Sequence, residues 1–191
     1  YVPPYGSWVF LGEILVDVDL PTTNARPSEN WACPMDCDRC VQACPTGALF
    51  APGKVRPKRC ISYLTQMSGP IPLDLREKIG SKLWGCDICQ QVCPINRQAK
   101  ITSHEVFQPT RGPHIPLVPL LRLTKREFVD MFGPTSMAWR GKNVLQRNAC
   151  VVLGNQRNPE ALPILEETAR EHPSTVVQDA ATWAVKKIKS C

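Results

Sequence analysis

The chain has 191 residues, enough for one or two domains with a hydrophobic core, and a formal net charge of +6. It contains no apolar run of membrane-spanning length and no signal-peptide pattern, so we expect a cytoplasmic protein without a membrane partner. Residues 1–96 contain nine basic and nine acidic side chains, whereas residues 97–191 contain fourteen basic and eight acidic ones. The second half is therefore the expected surface for an anionic partner, although a solvated basic face would have the same composition.

The N-terminal segment contains an apolar run at residues 8–16, and its aromatic and β-branched side chains favour a buried strand or the end of an α/β layer. The rest of the sequence shows no partner strands for it, and the first residue is Tyr1 rather than Met. Residues 21–30 are polar and rich in turn formers, which is typical of a linker. We therefore expect residues 1–30 to be the remnant of an N-terminal domain followed by a linker.

Eight cysteines lie between residues 33 and 93, in two runs separated by a single cysteine. They are Cys33, Cys37, Cys40, Cys44, Cys60, Cys86, Cys89 and Cys93. The first run, Cys-x3-Cys-x2-Cys-x3-Cys-Pro, is close to the bacterial ferredoxin run, in which the fourth cysteine binds the other of two clusters. Since two [4Fe–4S] cubanes require eight thiolates, the sequence predicts a two-cluster ferredoxin domain at residues 31–119.

The crossed ferredoxin pattern assigns each cysteine to one cluster. The predicted ligands of the first cluster are Cys33, Cys37, Cys40 and, from the second run, Cys93. The predicted ligands of the second cluster are Cys60, Cys86, Cys89 and, from the first run, Cys44. Three residues rather than two separate Cys33 from Cys37, so a bulge is needed to bring Cys33 to its cluster.

Zinc sites and disulfides are the alternative uses of these cysteines. Structural zinc ligands usually come as Cys-x2–4-Cys pairs, and the repeated Cys-x3-Cys-Pro is not part of that pattern. Closely spaced Cys-x2-Cys pairs are more typical of metal or redox sites than of secreted disulfide frameworks. Two iron–sulfur clusters therefore explain the spacing best.

The segments around the second run have helical and irregular patterns. Residues 60–65 predict the opening of a short helix, and residues 73–84 predict an amphipathic helix that ends at Gly85 and delivers Cys86. Residues 94–119 are proline-rich and predict an irregular strap over the ferredoxin core. The histidines in this strap have no partners at ligand spacing, so surface or capping roles are expected for them.

Residues 120–191 predict a helical domain. Thr124 and Glu127 form a possible capping box, and a later helix over residues 143–153 is predicted to end at Gly154. Two more helices are predicted, one from Asn158 and Pro159 to about residue 172 and one from residue 174 or 175 onward. Short helices joined by tight turns indicate a HEAT-like repeat. The predicted fold class is thus α+β, a bacterial-type two-cluster ferredoxin domain followed by an α-helical HEAT-like repeat.

Motifs beyond the cysteines resemble one enzyme family, the epoxyqueuosine reductases. The matching segments are residues 5–13, 60–65, 71–72, 75–76, 79–80, 85–90, 147–149 and 153–155. Together with the crossed cysteine runs they resemble the C-terminal two-thirds of that family. The resemblance implies an iron–sulfur and cobalamin-dependent reductase that converts epoxyqueuosine to queuosine at the wobble position of tRNA. It implies two [4Fe–4S] clusters and cobalamin as cofactors, with the tRNA anticodon arm and a flavodoxin or ferredoxin system as partners.

The resemblance also implies roles for parts of this chain. Residues 1–30 would be the remnant of a cobalamin-binding domain, so the fragment alone would be an incomplete enzyme without the family's proton-donating carboxylate. The matching motifs place Ser7, Ser62 and Asp87 at cobalamin contacts, although ordinary polar roles suit Ser62 and Asp87 equally.

Three basic residues lie near the start of the predicted repeat, and we expect them to contact tRNA phosphates. They are Arg140, Lys142 and Arg147. The alternative for Arg147 is that it braces neighbouring helices.

Two other functions fit parts of the sequence. Reductive dehalogenases pair cobalamin with two cubanes in a similar way, but they should lack a basic helical tail. A ferredoxin-type electron-transfer module with a helical docking domain would need neither Ser62 nor the motif at residues 6–13. An upstream cobalamin domain would exclude the electron-transfer module.

Overall fold

The computed structural model of the protein describes residues 1–22, 33–107, 112 and 114–190. These residues are mostly helical, and their one sheet is an antiparallel pair, β1 (Leu49–Ala51) and β2 (Lys54–Val55). The α-helices are α1 (Arg39–Gln42), α2 (Ile61–Gln66), α3 (Leu73–Arg76), α4 (Ile88–Gln91), α5 (Leu117–Arg122), α6 (Lys125–Phe132), α7 (Lys142–Gln156), α8 (Leu162–Glu171) and α9 (Thr175–Lys189). Short 3-10 helices occur at Pro57–Arg59, Glu77–Ile79, Ile95–Gln98, Glu105–Phe107 and Pro159–Ala161. Most of the predicted linker at residues 21–30 and part of the predicted strap lie outside the described residues.

The two cysteine runs fold as two copies of one turn-and-helix unit, and their helices α1 and α4 pack together. Asp38 precedes α1 with φ −120° and ψ 13°, and Asp87 precedes α4 with φ −118° and ψ 15°. Two residues before each helix cap, the backbone is left-handed, at Asp36 with φ 61° and at Gly85 with φ 70°. Aspartate tolerates this conformation better than most side chains, so the longer spacing after Cys33 is absorbed in a tight turn.

The strand prediction for residues 8–16 is wrong. Between residues 1 and 22 the only strand-like pairing is an isolated bridge between Val2 and Gly6. Phe10 is 95% and Leu15 96% exposed. A strand is stable only when a partner satisfies its backbone groups, and no described segment of the chain pairs with this one.

The helix predicted at residues 73–84 is shorter than expected. The α-helix α3 passes into the 3-10 turn Glu77–Ile79, which ends at Gly80 with φ 60° and ψ −126°. The side chain of Asn155 donates hydrogen bonds to the carbonyl oxygens of Arg76 and Gly80, at 2.9 and 3.0 Å. These carbonyls therefore accept hydrogen bonds from the helical half of the protein instead of from a continuing helix.

The start signals predicted for the later helices are confirmed. Thr124 accepts a hydrogen bond from the N–H of Glu127 at 3.2 Å, and the Glu127 carboxylate accepts one from the N–H of Thr124 at 2.8 Å. The side chain of Asn158 accepts a hydrogen bond from the N–H of Glu160 at 3.0 Å, with Pro159 in the first turn. Local sequence therefore determines where these helices begin.

Gly154 does not end α7, which continues to Gln156 and is capped by Arg157 in the left-handed conformation, with φ 52°. A β-carbon added at Gly154 would lie 2.7 Å from Trp183 Cζ3 and 2.9 Å from the β-carbon of Ala184. This glycine is therefore needed for the close approach of α7 to α9, and the predicted role as a helix stop is wrong.

One hydrophobic core contains residues of both halves of the chain. From the ferredoxin half it includes Ile61, Leu64, Ile71, Leu75 and Ile79, and from the helical half most of the buried residues of α5 to α9. Helix α9 packs on both α7 and α8. In the described part of the chain, no helix is long and apolar enough to cross a bilayer.

Candidate functional site

Four of the predicted ligands come together beside α1. The pKa of the Cys33 thiol is raised, first by partial desolvation and then by the negative charges of Cys37, Cys40 and Cys93. Helices α1 and α4 pack together and bring the two runs side by side, so these thiols lie close enough for their charges to interact. Cys93 comes from the second run, and the fold therefore brings one cysteine of that run to the three of the first.

Cys60, Cys86 and Cys89 form a second group. Burial raises the pKa of the Cys86 and Cys89 thiols, and the charge of Cys60 raises both further. Cys60 caps the start of α2, and Cys86 and Cys89 lie on either side of Asp87 at the start of α4. The short helix predicted from residue 60 is thus confirmed, and it places a cysteine beside the second run.

Cys44 has an environment that favours the thiolate. Burial opposes ionisation, but hydrogen bonds from Leu49, Thr46 and Ala48 outweigh it, so the pKa of Cys44 is lowered. The N–H of Ala48 donates to Cys44 Sγ at 3.2 Å. Hydrogen bonds to sulfur are one way in which proteins tune a cluster ligated by that sulfur.

Tyr1 is a neighbour of the first group that the sequence did not reveal. Its hydroxyl lies 3.1 Å from Cys93 Sγ. This hydrogen bond raises the pKa of Tyr1, and burial and the charges of Cys93, Cys33 and Cys40 raise it further. The two residues are 92 positions apart in the sequence, so no local motif indicates this contact.

The described part of the chain has no group of three or more His, Cys, Asp or Glu side chains that could hold a single metal ion. A tetrahedral zinc ion with bonds to sulfur of about 2.3 Å requires its four thiolates to lie within a few ångströms of one another. All eight cysteines are free thiols. Neither the zinc nor the disulfide alternative gains support from the structure.

Two of the three predicted cobalamin contacts share one hydrogen-bond network. Ser7 Oγ donates to Gln90 Oε1 at 2.9 Å, and Gln90 Nε2 donates to Asp87 Oδ1 at 2.8 Å. Asn96 holds the same serine by accepting from its N–H at 2.9 Å and donating to its Oγ at 2.7 Å. Ser62 lies apart from this network, where its Oγ accepts a hydrogen bond from Gln66 at 3.1 Å.

Ser62 lines an open cavity of about 500 Å³, and the lining also includes Cys60, Tyr63, Trp139 and Arg140. The guanidinium of Arg140 stacks on the indole of Trp139, 3.7 Å from the ring centroid. Two predicted site residues that are 78 positions apart in the sequence therefore face one cavity. Trp139 is a candidate site residue that no motif in the sequence indicates.

The other two basic residues of the predicted tRNA contact have partners within the protein. Lys142 is half-buried, and its ammonium donates to the Leu123 carbonyl at 2.9 Å. Arg147 is 1% exposed, and burial, with a smaller effect of Arg76, lowers its pKa to about 10. The prediction of a direct phosphate contact for Arg147 is therefore wrong, because its side chain is inside the protein.

Arg147 instead binds the ferredoxin half of the chain. Its Nη2 donates to the Leu64 carbonyl at 2.8 Å, and its Nη1 donates to the carbonyls of Met67, at 2.6 Å, and Gly69. Its guanidinium also donates to the Asn148 side-chain oxygen, at 2.7 and 3.1 Å. This is the bracing role that the sequence left open.

Asn148 extends the same connection towards the second cysteine group. Its Nδ2 donates to the carbonyls of Thr65, at 2.7 Å, and Leu83, at 2.9 Å. The Thr65 hydroxyl in turn accepts the N–H of Gly85 at 3.0 Å, and Gly85 directly precedes Cys86. The middle of α7 thus holds both segments that carry cysteines of the second group.

The fold and the cysteine groups define a double-cluster iron–sulfur protein, and residues 33–96 match the family described as 4Fe-4S double cluster binding domain. The chain is 42% identical over 187 residues to the epoxyqueuosine reductase of Bacillus subtilis, covering 97% of this chain and 47% of that protein. It is 39% identical over 185 residues to a Geobacillus stearothermophilus protein named "Uncharacterized protein in gldA 3'region", covering 96% of this chain and 84% of that one. A crystal structure of epoxyqueuosine reductase with an epoxyqueuosine-modified tRNA-Tyr stem loop superimposes with a TM-score of 0.76 at 44% identity, covering 81% of this chain and 41% of that one.

These similarities show that the chain is a relative of the epoxyqueuosine reductases, which are oxidoreductases. It spans about half the length of the curated epoxyqueuosine reductases it matches. The resemblance seen in the sequence motifs is confirmed, but the chain corresponds to about half of these proteins rather than to the expected two-thirds.

Proposed function

We propose that this chain is the part of an epoxyqueuosine reductase that holds two [4Fe–4S] clusters and positions the tRNA, in an enzyme that converts epoxyqueuosine to queuosine at the wobble base. The observation that carries the proposal is the grouping of Cys93 with Cys33, Cys37 and Cys40 inside a matched double-cluster domain. The tRNA substrate is supported by the related structure that contains a modified tRNA stem loop.

We assign the two cysteine groups to two clusters. The first cluster has the ligands Cys33, Cys37, Cys40 and Cys93, and the second has Cys60, Cys86, Cys89 and Cys44. The free thiols and the N–H donors at Cys44 suit an anionic iron–sulfur cluster. Cys33 is exposed, so the first cluster is the outer one and faces an electron donor such as a flavodoxin or ferredoxin.

We further infer that cobalamin binds next to the second cluster. When bound, the clusters and cobalamin together supply the electrons for removing the epoxide oxygen. This chain provides polar side chains beside the second cysteine group, at Ser7, Ser62 and Asp87. We assign residues 1–30 to the cobalamin-binding part of the enzyme, and the exposed apolar residues at positions 10–15 are the expected contact with the rest of that part.

The helical half is proposed to be a HEAT-like repeat that supports the tRNA in the cytoplasm. The packing of α9 against both α7 and α8 supports this assignment. Arg140 contributes positive charge in the lining of the cavity, and Lys142 contributes positive charge at the start of α7. We assign residues 31–119 to the clusters and residues 120–191 to the helical part, although α5 (Leu117–Arg122) begins three residues before this boundary.

The test is anaerobic reconstitution of the chain followed by iron and sulfide analysis, with stem-loop binding measured on the same sample. Two cubanes predict about eight iron and eight sulfide per chain. Stoichiometric zinc, or iron near half that amount, would refute the cluster assignment. Clusters without affinity for the stem loop would instead favour a ferredoxin-type electron-transfer module, and turnover of a halogenated substrate by the cobalamin-loaded enzyme would favour a dehalogenase.

A further inference from the structure

Trp139 and Arg140 lie on a braced turn between α6 and α7. The Thr135 hydroxyl donates to the Phe132 carbonyl at 2.7 Å, and the N–H of Gly141 donates to the Ala138 carbonyl at 2.8 Å. Gly141 has φ 79°, a conformation that favours glycine. The turn therefore presents the two side chains in a defined position, although Trp139 remains 60% exposed.

The chemistry of this exposed pair suits a flat, electron-rich ligand with a negative backbone. The Arg140 guanidinium lies 3.7 Å from the centroid of the Trp139 ring, so the pair forms two stacked planes with a positive charge. The adjoining cavity adds a second exposed aromatic ring, Tyr63, and hydrogen-bonding groups on Ser62 and Gln66. Its volume of about 500 Å³ falls within the range of small-ligand sites.

We propose that Trp139 and Arg140 form a stacking platform for one unpaired nucleobase of the anticodon loop, beside the base that reacts. Unpaired RNA bases are recognised by stacking on aromatic rings and guanidinium planes, which are the two surfaces offered here. Cys60 and Ser62 line the same cavity, so a base on the platform lies next to the second cysteine group. In this arrangement the flat guanidinium of Arg140 stacks with the base, whereas the sequence predicted that Arg140 contacts a phosphate. This inference rests on the proposed tRNA-binding function.

The platform is tested by the affinity of a fluorescent anticodon stem loop for the reconstituted chain, measured over a series of salt concentrations. Loss of one stacked base costs about 1–3 kcal/mol, so Trp139→Ala should weaken binding about 5- to 150-fold. Its log–log salt slope should stay unchanged, because no phosphate contact is lost, whereas loss of one phosphate contact would reduce the slope by about 0.7–0.9. Trp139→Phe keeps a ring and should retain most of the affinity. Arg140→Lys keeps the charge and loses the plane, so it should weaken binding without changing the slope.

Phe107→Ala is the matched control, because Phe107 is an aromatic side chain that is also 60% exposed. It should bind the stem loop like the unmodified chain, and iron content confirms that every variant is folded. Wild-type affinity of Trp139→Ala would overturn the platform, as would an Arg140→Lys variant that binds normally. So would a Trp139→Ala variant of the cobalamin-containing enzyme that loses cobalamin but keeps its RNA affinity. If the unmodified chain does not bind the stem loop, the tRNA-binding function itself fails.

Discussion

Replacing Arg147 by methionine should destabilise the protein strongly, because Arg147 connects its two halves. The side chain is 1% exposed and its guanidinium donates to the carbonyls of Leu64, Met67 and Gly69. A hydrogen bond from a charged donor is worth about 1.5–3 kcal/mol, and the three are not additive. Methionine fills the space without donating, so three carbonyls lose their partner. We expect a loss of about 3–5 kcal/mol of unfolding free energy, comparable to breaking a buried ion pair.

The measurement is urea unfolding of the cluster-loaded protein, followed by circular dichroism and by the visible absorbance of the clusters. Arg147→Lys should have an intermediate effect, because one ammonium cannot occupy the positions of a planar guanidinium with five donors. Arg126→Ala is the control: Arg126 is 93% exposed and its ion pair with Asp130 lies at the surface, so a loss of about 0.5 kcal/mol or less is expected. If the Arg147→Met variant were as stable as the unmodified protein but bound tRNA more weakly, the bracing role would be refuted. The prediction that Arg147 contacts a phosphate would then be supported.

Two further predictions follow from the cysteine groups and from the packing of α7. Cys44→Ser should impair the second cluster and Cys93→Ser the first, each leaving about four iron per chain, with distinct electron paramagnetic resonance spectra; the same damaged cluster in both variants would contradict the crossed assignment. Gly154→Ala should lower the thermal midpoint, with a cost of about 1–3 kcal/mol, because its β-carbon would lie 2.7 Å from Trp183 Cζ3 and 2.9 Å from the β-carbon of Ala184. An unchanged thermal midpoint would mean that α9 moves to accommodate the added methyl group without a loss of stability.

The sequence was sufficient where a structure depends on neighbouring residues. The capping box of Thr124 and Glu127 and the start at Asn158 and Pro159 were predictable, since a helix cap needs only groups within one turn. The cysteine spacing also indicated the double-cluster domain, because ligands of one cluster recur at short fixed intervals.

Only the tertiary structure decided features that depend on distant partners. Whether Arg147 meets a phosphate or a buried carbonyl depends on where α2 lies, and its charge and position in the sequence are the same in both cases. From the sequence, Gly154 could either end α7 or allow α9 to pack closely against it. The position of Trp183 beside Gly154 shows that the second role applies. Trp139 became a candidate site residue only when the fold placed it in the lining of the same cavity as Ser62. Local patterns record the conformational preferences of a few adjacent residues, whereas packing partners are selected by the burial and hydrogen bonding of the whole chain.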